Sequence, residues 1–335
     1  MKKYFRGIVI ILTIFLLTLT SSIVGNAAGV SSVKTITDQE ALFFSDLAYV
    51  NFRDNQINKT IWDIKNDTNV KERVSKNVEN ALGKGKKRDN FYKSIKDWKL
   101  ILYSNDNAGF TGFGSAVFEN ISKNQVIVAY RGTDKNWQDI FKEDKLMISK
   151  KDAFQTESPQ RRFAERVAAI VFVNRPKSNV YFVGHSLGGT LAQTVAFEAT
   201  QKTLDDNIKL PILKDMKWSK AQIESTLKLK KKLKSLEKQY PNQVKGLITF
   251  NAPGIFKTKS SFIKYSSKYK FAKHYIVNKD PVGELWYSLG YGDEGKIKFK
   301  RIEPYVTPVT GSPLSLINLT SHPAAQFYKY KRIYK

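Results

Sequence analysis

The chain of 335 residues contains no cysteine, only three histidines, and 30 carboxylates against 56 lysines and arginines. Without thiols there is no disulfide framework and no lipid-attachment thiol, so an exported form must hold itself together through its core. Three histidines and no cysteine also argue against a catalytic zinc centre, and no metal or cofactor is expected, a calcium site built from carboxylates being the open alternative. No proline- or serine-rich linker and no internal repeat divides the chain, which argues for one large domain. The shortage of acid leaves a formal net charge of +26. Such a surplus favours anionic partners, a membrane surface or a wall polymer, over neutral ones. A lysine-biased composition that serves only solubility is the competing explanation.

A long apolar run is present at the start. "MKKYFRGIVIILTIFLLTLTSSIVGNAAG" has a basic opening, an apolar stretch from Ile8 to Leu19 and small residues from Gly25 to Ala28, the layout of a secretory signal peptide. Residues 1–28 are therefore expected to be removed and the product to be extracellular. The alternative is a retained membrane anchor, because the apolar tract through Val24 approaches the roughly 18 residues that span a bilayer. Lys2, Lys3 and Arg6 would go with the leader, leaving +23 on residues 29–335.

Thr37-Asp38-Gln39-Glu40 is a capping-box pattern opening a helix through Phe44, Leu47 and Ala48. Residues 55–97 read as polar helix and loop, with "ALGKGKKRDN" (81–90) as an exposed turn. The period then changes to that of strands in "KLILY", "GFGSAVFE" and "QVIVAYRG", the last two joined by the polar turn "NISKN". Ser158-Pro159 starts a helix through Phe163, Val167 and Ile170. Further strands are expected in "VYFV", "VKGLITFNAPG", "KHYIVNKDPVG" and "KIKFKRI". Strands alternating with helices imply an α/β fold with a mostly parallel central sheet flanked by helices.

Between the expected strand Val180–Val183 and the expected helix Thr190–Thr200 lies Gly184-His185-Ser186-Leu187-Gly188, a G-x-S-x-G connector. A serine that attacks an ester must stand on a sharp turn at a strand end, with neighbours that carry almost no bulk; Gly184 and Gly188 meet that need. A glycine-rich turn for close packing or for a phosphate is the plainer alternative. Serine needs a base, and the base needs an acid to fix its tautomer. His185 is adjacent to Ser186 on the turn and points away. His274 precedes the strand "YIVN" and lies upstream of the best acid. His322 is left, and it fits the α/β-hydrolase order of nucleophile, acid, histidine. Asp280, just past a strand end and before Pro281, is the acid of choice, with Asp293 and Glu284 as alternatives. The oxyanion donors are expected to be the amide of Leu187 and, from the loop after "QVIVAYRG", that of Thr133. Arg131 is given no catalytic role.

The segments "VIVAYRGTDKNWQDI", "YFVGHSLGGTLA", "ITFNAPG", "IVNKDPVG" and "SHPAAQF" together resemble the fungal-type class 3 lipases, a branch of the α/β-hydrolases with bacterial members, over about Val126 to the terminus. The resemblance implies an α/β-hydrolase fold, Ser186 as nucleophile, Asp280 and His322 as its partners, Thr133 as oxyanion residue, and lipid or related carboxylic esters as substrates. It also implies a short lid after the oxyanion residue, where Trp137, Ile140 and Phe141 share one helical face; a core-packing helix is the equal alternative. The first hundred residues and a basic helical insertion over about 205–242 depart from the family pattern. In that insertion Ser219 and Gln222 form a capping box, and Leu229, Leu233, Leu236 and Tyr240 a narrow apolar stripe among lysines. This helix either lies on an anionic membrane or packs on its own domain, the latter being the commoner case. The expectation is a secreted serine hydrolase of acyl lipids, triacylglycerol lipase or phospholipase A in type. A catalytically idle basic protein coating anionic membranes or wall polymers is the alternative. Nucleic acid is not expected as a partner, since it leaves the ordered motifs without purpose.

Overall fold

The computed structural model describes residues 35–105, 112–132, 158–204, 220–255, 271–277 and 298–302. The leader pattern lies outside them. The chain enters helix α1 (Asp38–Leu47) through the expected capping box: Thr37 Oγ1 accepts the Glu40 N–H at 3.1 Å, and the Glu40 carboxylate accepts the Thr37 N–H at 2.7 Å. Short helical pieces follow at Asp54–Gln56, Ile61–Ile64, Thr68–Val70, a π-helical turn Lys71–Ser75, and Lys76–Leu82, before helix α2 (Lys86–Ile95). The exposed turn expected over 81–90 shrinks to Gly83–Gly85. Gly83 ends one helix at φ 73°, and the burial of Phe91, Tyr92 and Ile95 draws Lys86–Asn90 into the next.

Seven strands form one sheet in chain order: β1 (Lys99–Asn105), β2 (Gly114–Asn120), β3 (Gln125–Tyr130), β4 (Asn179–His185), β5 (Val244–Phe250), β6 (Ala272–Val277) and β7 (Lys298–Ile302). β1 to β3 pair antiparallel, and β3 to β7 pair parallel. The antiparallel part needs only tight connections such as residues 121–124 between β2 and β3. Parallel neighbours need crossovers. These are supplied by helix α3 (Pro159–Asn174) between β3 and β4, and by helices α4 (Leu187–Gln201) and α5 (Lys220–Ser235) between β4 and β5. Sequential strand order with crossovers of one hand puts α3 and α4 on the same face of the sheet.

The side chains confirm this division. Val126, Val128 and Tyr130 of β3 and Val180 and Phe182 of β4 join α3, α4 and α5 in one core. Ile127, Ala129, Tyr181 and Val183 alternate onto the other face and pack with α1 and the helical pieces that follow it. Central strands buried on both faces explain why "VIVAY" and "VYFV" are apolar throughout. The result is an α/β-hydrolase fold, a mostly parallel central sheet flanked by helices.

Helix α5 settles on its own domain. Leu233 is fully buried and Ile223, Leu229 and Leu236 pack against the core shared with α3 and α4. Arg166 of α3 reaches Ser225 at 3.2 Å, and the Phe172 ring lies 5.4 Å from that of Tyr240. The two helices therefore run in the same direction, and the lysine-rich end of α5 lies toward the amino-terminal ends of the strands. α3 and α4 share a buried cluster of arginine and glutamate side chains. Arg161 bonds Glu165 at 2.8 Å and also contacts Glu198 of α4, while Arg162 bonds Glu165 at 2.7 Å.

Candidate active site

The sharp turn is tighter than the sequence implies. β4 continues through Gly184 and His185, and α4 begins at Leu187, so the connector reduces to Ser186. To turn the chain within one residue, Ser186 adopts φ 57° and ψ −137°, outside the regions open to ordinary side chains. Such a conformation costs about 1–3 kcal/mol and persists only where its surroundings overdetermine it. Three backbone bonds do so: the Ser186 N–H donates to Phe250 O at 2.9 Å, and Ser186 O accepts from Gly189 N at 2.8 Å and Thr190 N at 3.4 Å.

Neither elbow glycine has room for a side chain. A Cβ on Gly184 would stand 2.4 Å from the Gly188 carbonyl, and one on Gly188 would stand 2.1 Å from Tyr130 O. β3, the elbow and the first turn of α4 thus touch backbone to backbone. Gly189, which the pentapeptide does not include, is held as closely, its Cβ position falling 2.4 Å from Ala252 Cβ. Leu187 opens α4, where the amide has no partner within the helix and sits at the positive end of the helix dipole. This is the donor position that an oxyanion next to Ser186 requires.

Gly132, two residues past the end of β3, closes in from the other side: its Cβ position lies 3.0 Å from Ser186 Cβ. Thr133, Asp280 and His322 lie outside the described residues, as do Asp293, Glu284 and the expected lid face of Trp137, Ile140 and Phe141. What is described of their surroundings is the end of β3 against Ser186, and β6 ending at Val277, three residues before Asp280.

The other two histidines have structural partners. His185 Nδ1 lies 3.1 Å from the Tyr49 hydroxyl. His274 does not precede its strand but sits within β6, buried, with Nδ1 2.7 Å from Thr249 Oγ1 of β5. The register pairs these two residues directly, and the strand begins three residues before the apolar run Tyr275–Val277. Arg131 is buried and donates to Asn105 Oδ1 at 2.8 Å and to Gly112 O at 3.0 Å, tying β3 to the ends of β1 and β2.

Three contributors escape a reading of the sequence. Thr190 Oγ1 and Gln193 Nε2 both donate to Pro253 O, at 3.0 and 2.8 Å, anchoring the turn after β5 to α4. Tyr49, in the turn after α1, accepts the Gly132 N–H at 3.1 Å and donates to His185 O at 3.3 Å. Burial holds its hydroxyl well above the ordinary tyrosine range, so it stays protonated. No local pattern marks Tyr49, 137 residues before Ser186, and "NAPG" is the only local signal for the Pro253 anchor of Thr190 and Gln193. Among the described residues no cluster of three or more His, Asp or Glu converges as a metal would need.

A family model described as Mbeg1-like matches residues 92–289 of the chain. No curated protein matches it. Among solved structures, lipase II from Rhizopus niveus is similar at 14% identity, over 58% of this chain and 63% of its own, with a TM-score of 0.34. M37 lipase is similar at 16% identity, over 76% and 71%, with a TM-score of 0.41. Lip2 lipase from Yarrowia lipolytica is similar at 13% identity, over 83% and 80%, with a TM-score of 0.39. The chain thus spans less than two thirds of the Rhizopus enzyme. The match over residues 92–289 covers the sheet from β1 to β6 together with the Ser186 elbow, and the chain belongs to the Mbeg1-like family, a family related to the fungal-type lipases.

Proposed function

We propose that the protein is a secreted serine carboxylic-ester hydrolase acting on acyl lipids, of triacylglycerol lipase or phospholipase A type. The observation that carries this reading is the backbone of Ser186: a non-glycine residue at φ 57°, held at the carboxyl end of β4 by glycines with no space for a side chain. Strain of this kind serves to present a side chain, and a serine so presented at a helix amino terminus is placed for attack on a carbonyl. Membership of a family related to the fungal-type lipases supports the same chemistry.

In this reading Ser186 Oγ attacks the ester carbonyl while His322 takes its proton and Asp280 orients the imidazole. The amides of Leu187 and Thr133 hold the oxyanion. His322 then protonates the leaving alcohol, and later activates water to release the acyl group from Ser186. His185 and His274, engaged by Tyr49 and Thr249, leave His322 as the base. The leader pattern supports secretion.

The charge supports a peripheral contact with anionic lipid. Lys220, Lys228, Lys231, Lys232, Lys234 and Lys238 are exposed on and just after α5. Because the apolar stripe of α5 is spent on the core, this contact is electrostatic and weakens with salt rather than inserting into the bilayer. The same lysines are what favours the second reading, a non-catalytic protein that coats anionic membranes or wall polymers.

The test is hydrolysis by wild type and Ser186→Ala of a short-chain ester, a triacylglycerol emulsion, and phosphatidylglycerol and phosphatidylcholine vesicles. Activity in wild type and its loss by at least about 1,000-fold in the variant is expected. Vesicle binding by wild type with no acyl release from any substrate would give the second reading the field.

A further inference from the structure

We infer that Tyr49 is a positioning residue for the Ser186 site, its hydroxyl locking Gly132, just past the end of β3, to His185 at the nucleophile elbow so that Gly132 stands in fixed register with Ser186. The inference rests on the reading of Ser186 as nucleophile and deepens it.

The backbone ladder between β3 and β4 ends at the pair Tyr130–Gly184. The residues that follow on each strand, through Gly132 and Ser186, are those that this reading needs aligned, and they lie past the end of the paired register. Tyr49 bridges the two segments. Its oxygen accepts the Gly132 N–H at 3.1 Å, and its own proton is directed at His185, with the carbonyl oxygen at 3.3 Å and Nδ1 at 3.1 Å. One hydroxyl, as acceptor and donor at once, joins segments more than fifty residues apart in the chain.

The space around this bridge admits nothing else. A Cβ on Gly132 would meet Tyr49 Oη at 2.5 Å, His185 O at 2.7 Å and Ser186 Cβ at 3.0 Å. Tyr49 is itself held from behind. The Arg73 guanidinium stands 4.5 Å from the centre of its ring, and Arg73 is paired to buried Asp46 at 3.0 Å, which also accepts from Asn77 at 3.0 Å. Arg73 lies in the π-helical turn Lys71–Ser75, an irregularity of the kind that recurs near functional sites. The network thus carries the otherwise divergent amino-terminal region to the nucleophile, and gives it a part in catalysis rather than in covering the sheet alone.

Tyr49→Phe removes one oxygen and keeps the ring over Arg73. Full-length wild type and variant are compared by steady-state hydrolysis of a short-chain p-nitrophenyl ester and by the rate of inactivation with an aryl phosphonate. Because a misplacement of about 1 Å can lower turnover on the order of 100-fold, kcat and the phosphonate rate are expected to fall about 10-fold to 100-fold. KM should stay within about twofold, since no group that binds the ester in its ground state is removed. A folded variant with wild-type kcat and phosphonate rate overturns the inference. A wild type inert to both reagents instead overturns the nucleophile reading, so the two failures are distinguishable. Hydrogen exchange in wild type gives a measurement independent of the variant's folding: the Gly132 amide should be protected, and exchange at the rate of a free amide would show that the bridge does not form.

Discussion

Gly188→Ala measures how tightly the elbow is packed. The added carbon would lie 2.1 Å from the Tyr130 oxygen and 2.7 Å from its carbonyl carbon, both backbone atoms of β3. Carbon and oxygen approach without repulsion to about 3.3 Å. The first turn of α4 must then retreat from β3 by about 1.2 Å, and it cannot move freely: Gly189 already touches Ala252, and Thr190 and Gln193 are bonded to Pro253 O. Forced overpacking of this kind costs about 1–3 kcal/mol. A loss of about 2 kcal/mol corresponds to a fall in Tm of about 3 °C for a domain of this size. Ser186, two residues away, is carried with the helix, and a shift on the order of 1 Å lowers turnover by about 100-fold. Calorimetry reads the first effect, and the rate of reaction with an aryl phosphonate reads the second. Gly83→Ala is the control: no atom lies within 4 Å of its Cβ position, and its φ of 73° leaves only a local backbone penalty far from Ser186. If Gly188→Ala melts with wild type and reacts at the wild-type rate, the close approach of β3 to α4 is not what fixes Ser186.

Two further outcomes are expected. Burial, then the charge of Glu165, raise the Glu198 carboxyl well above its ordinary 4.5, with Arg161 opposing them. The native state then keeps a proton that the unfolded chain has lost, so this group's contribution is whole below about pH 4.5 and is lost as pH rises toward the folded pKa. Urea midpoints from pH 5 to pH 8 should therefore fall more steeply in wild type than in Glu198→Gln, and parallel profiles would refute the shift. On α5, Leu233→Ala should destabilise by about 3 kcal/mol in urea unfolding without weakening binding to anionic vesicles, because Leu233 is fully buried against the domain's own core. Loss of vesicle binding with unchanged stability would place the stripe on the membrane instead.

The sequence carried a large part of the fold because its signals are local. A capping box at Thr37, a serine-proline helix start at Ser158 and apolar runs too short for helices are properties of a few consecutive residues, and the corresponding elements are all present. The elbow was legible for the same reason: glycine at 184 and 188 is a local requirement of a turn this sharp. Element ends were less legible. His274 lies inside β6 because its neighbour on β5, Thr249, offers both a ladder partner and a hydroxyl. The turn at 81–90 is shortened by the burial of Phe91 and Ile95, which a local window does not contain.

What only the tertiary structure decided are the choices between two partners that one pattern allows. The stripe of α5 suits either a membrane or a protein core, and it was the core shared with α3 and α4 that took it. Tyr49 reads as one more aromatic residue in the turn after a helix, until folding brings the Gly132 amide and the His185 carbonyl to its hydroxyl. A pattern records which surface a segment can bury and how sharply its backbone can turn, because those follow from the residues in it. Which surface it meets depends on chain that is distant in sequence, and the bond from the Ser186 amide to Phe250 and the approach of Gly132 are of that kind.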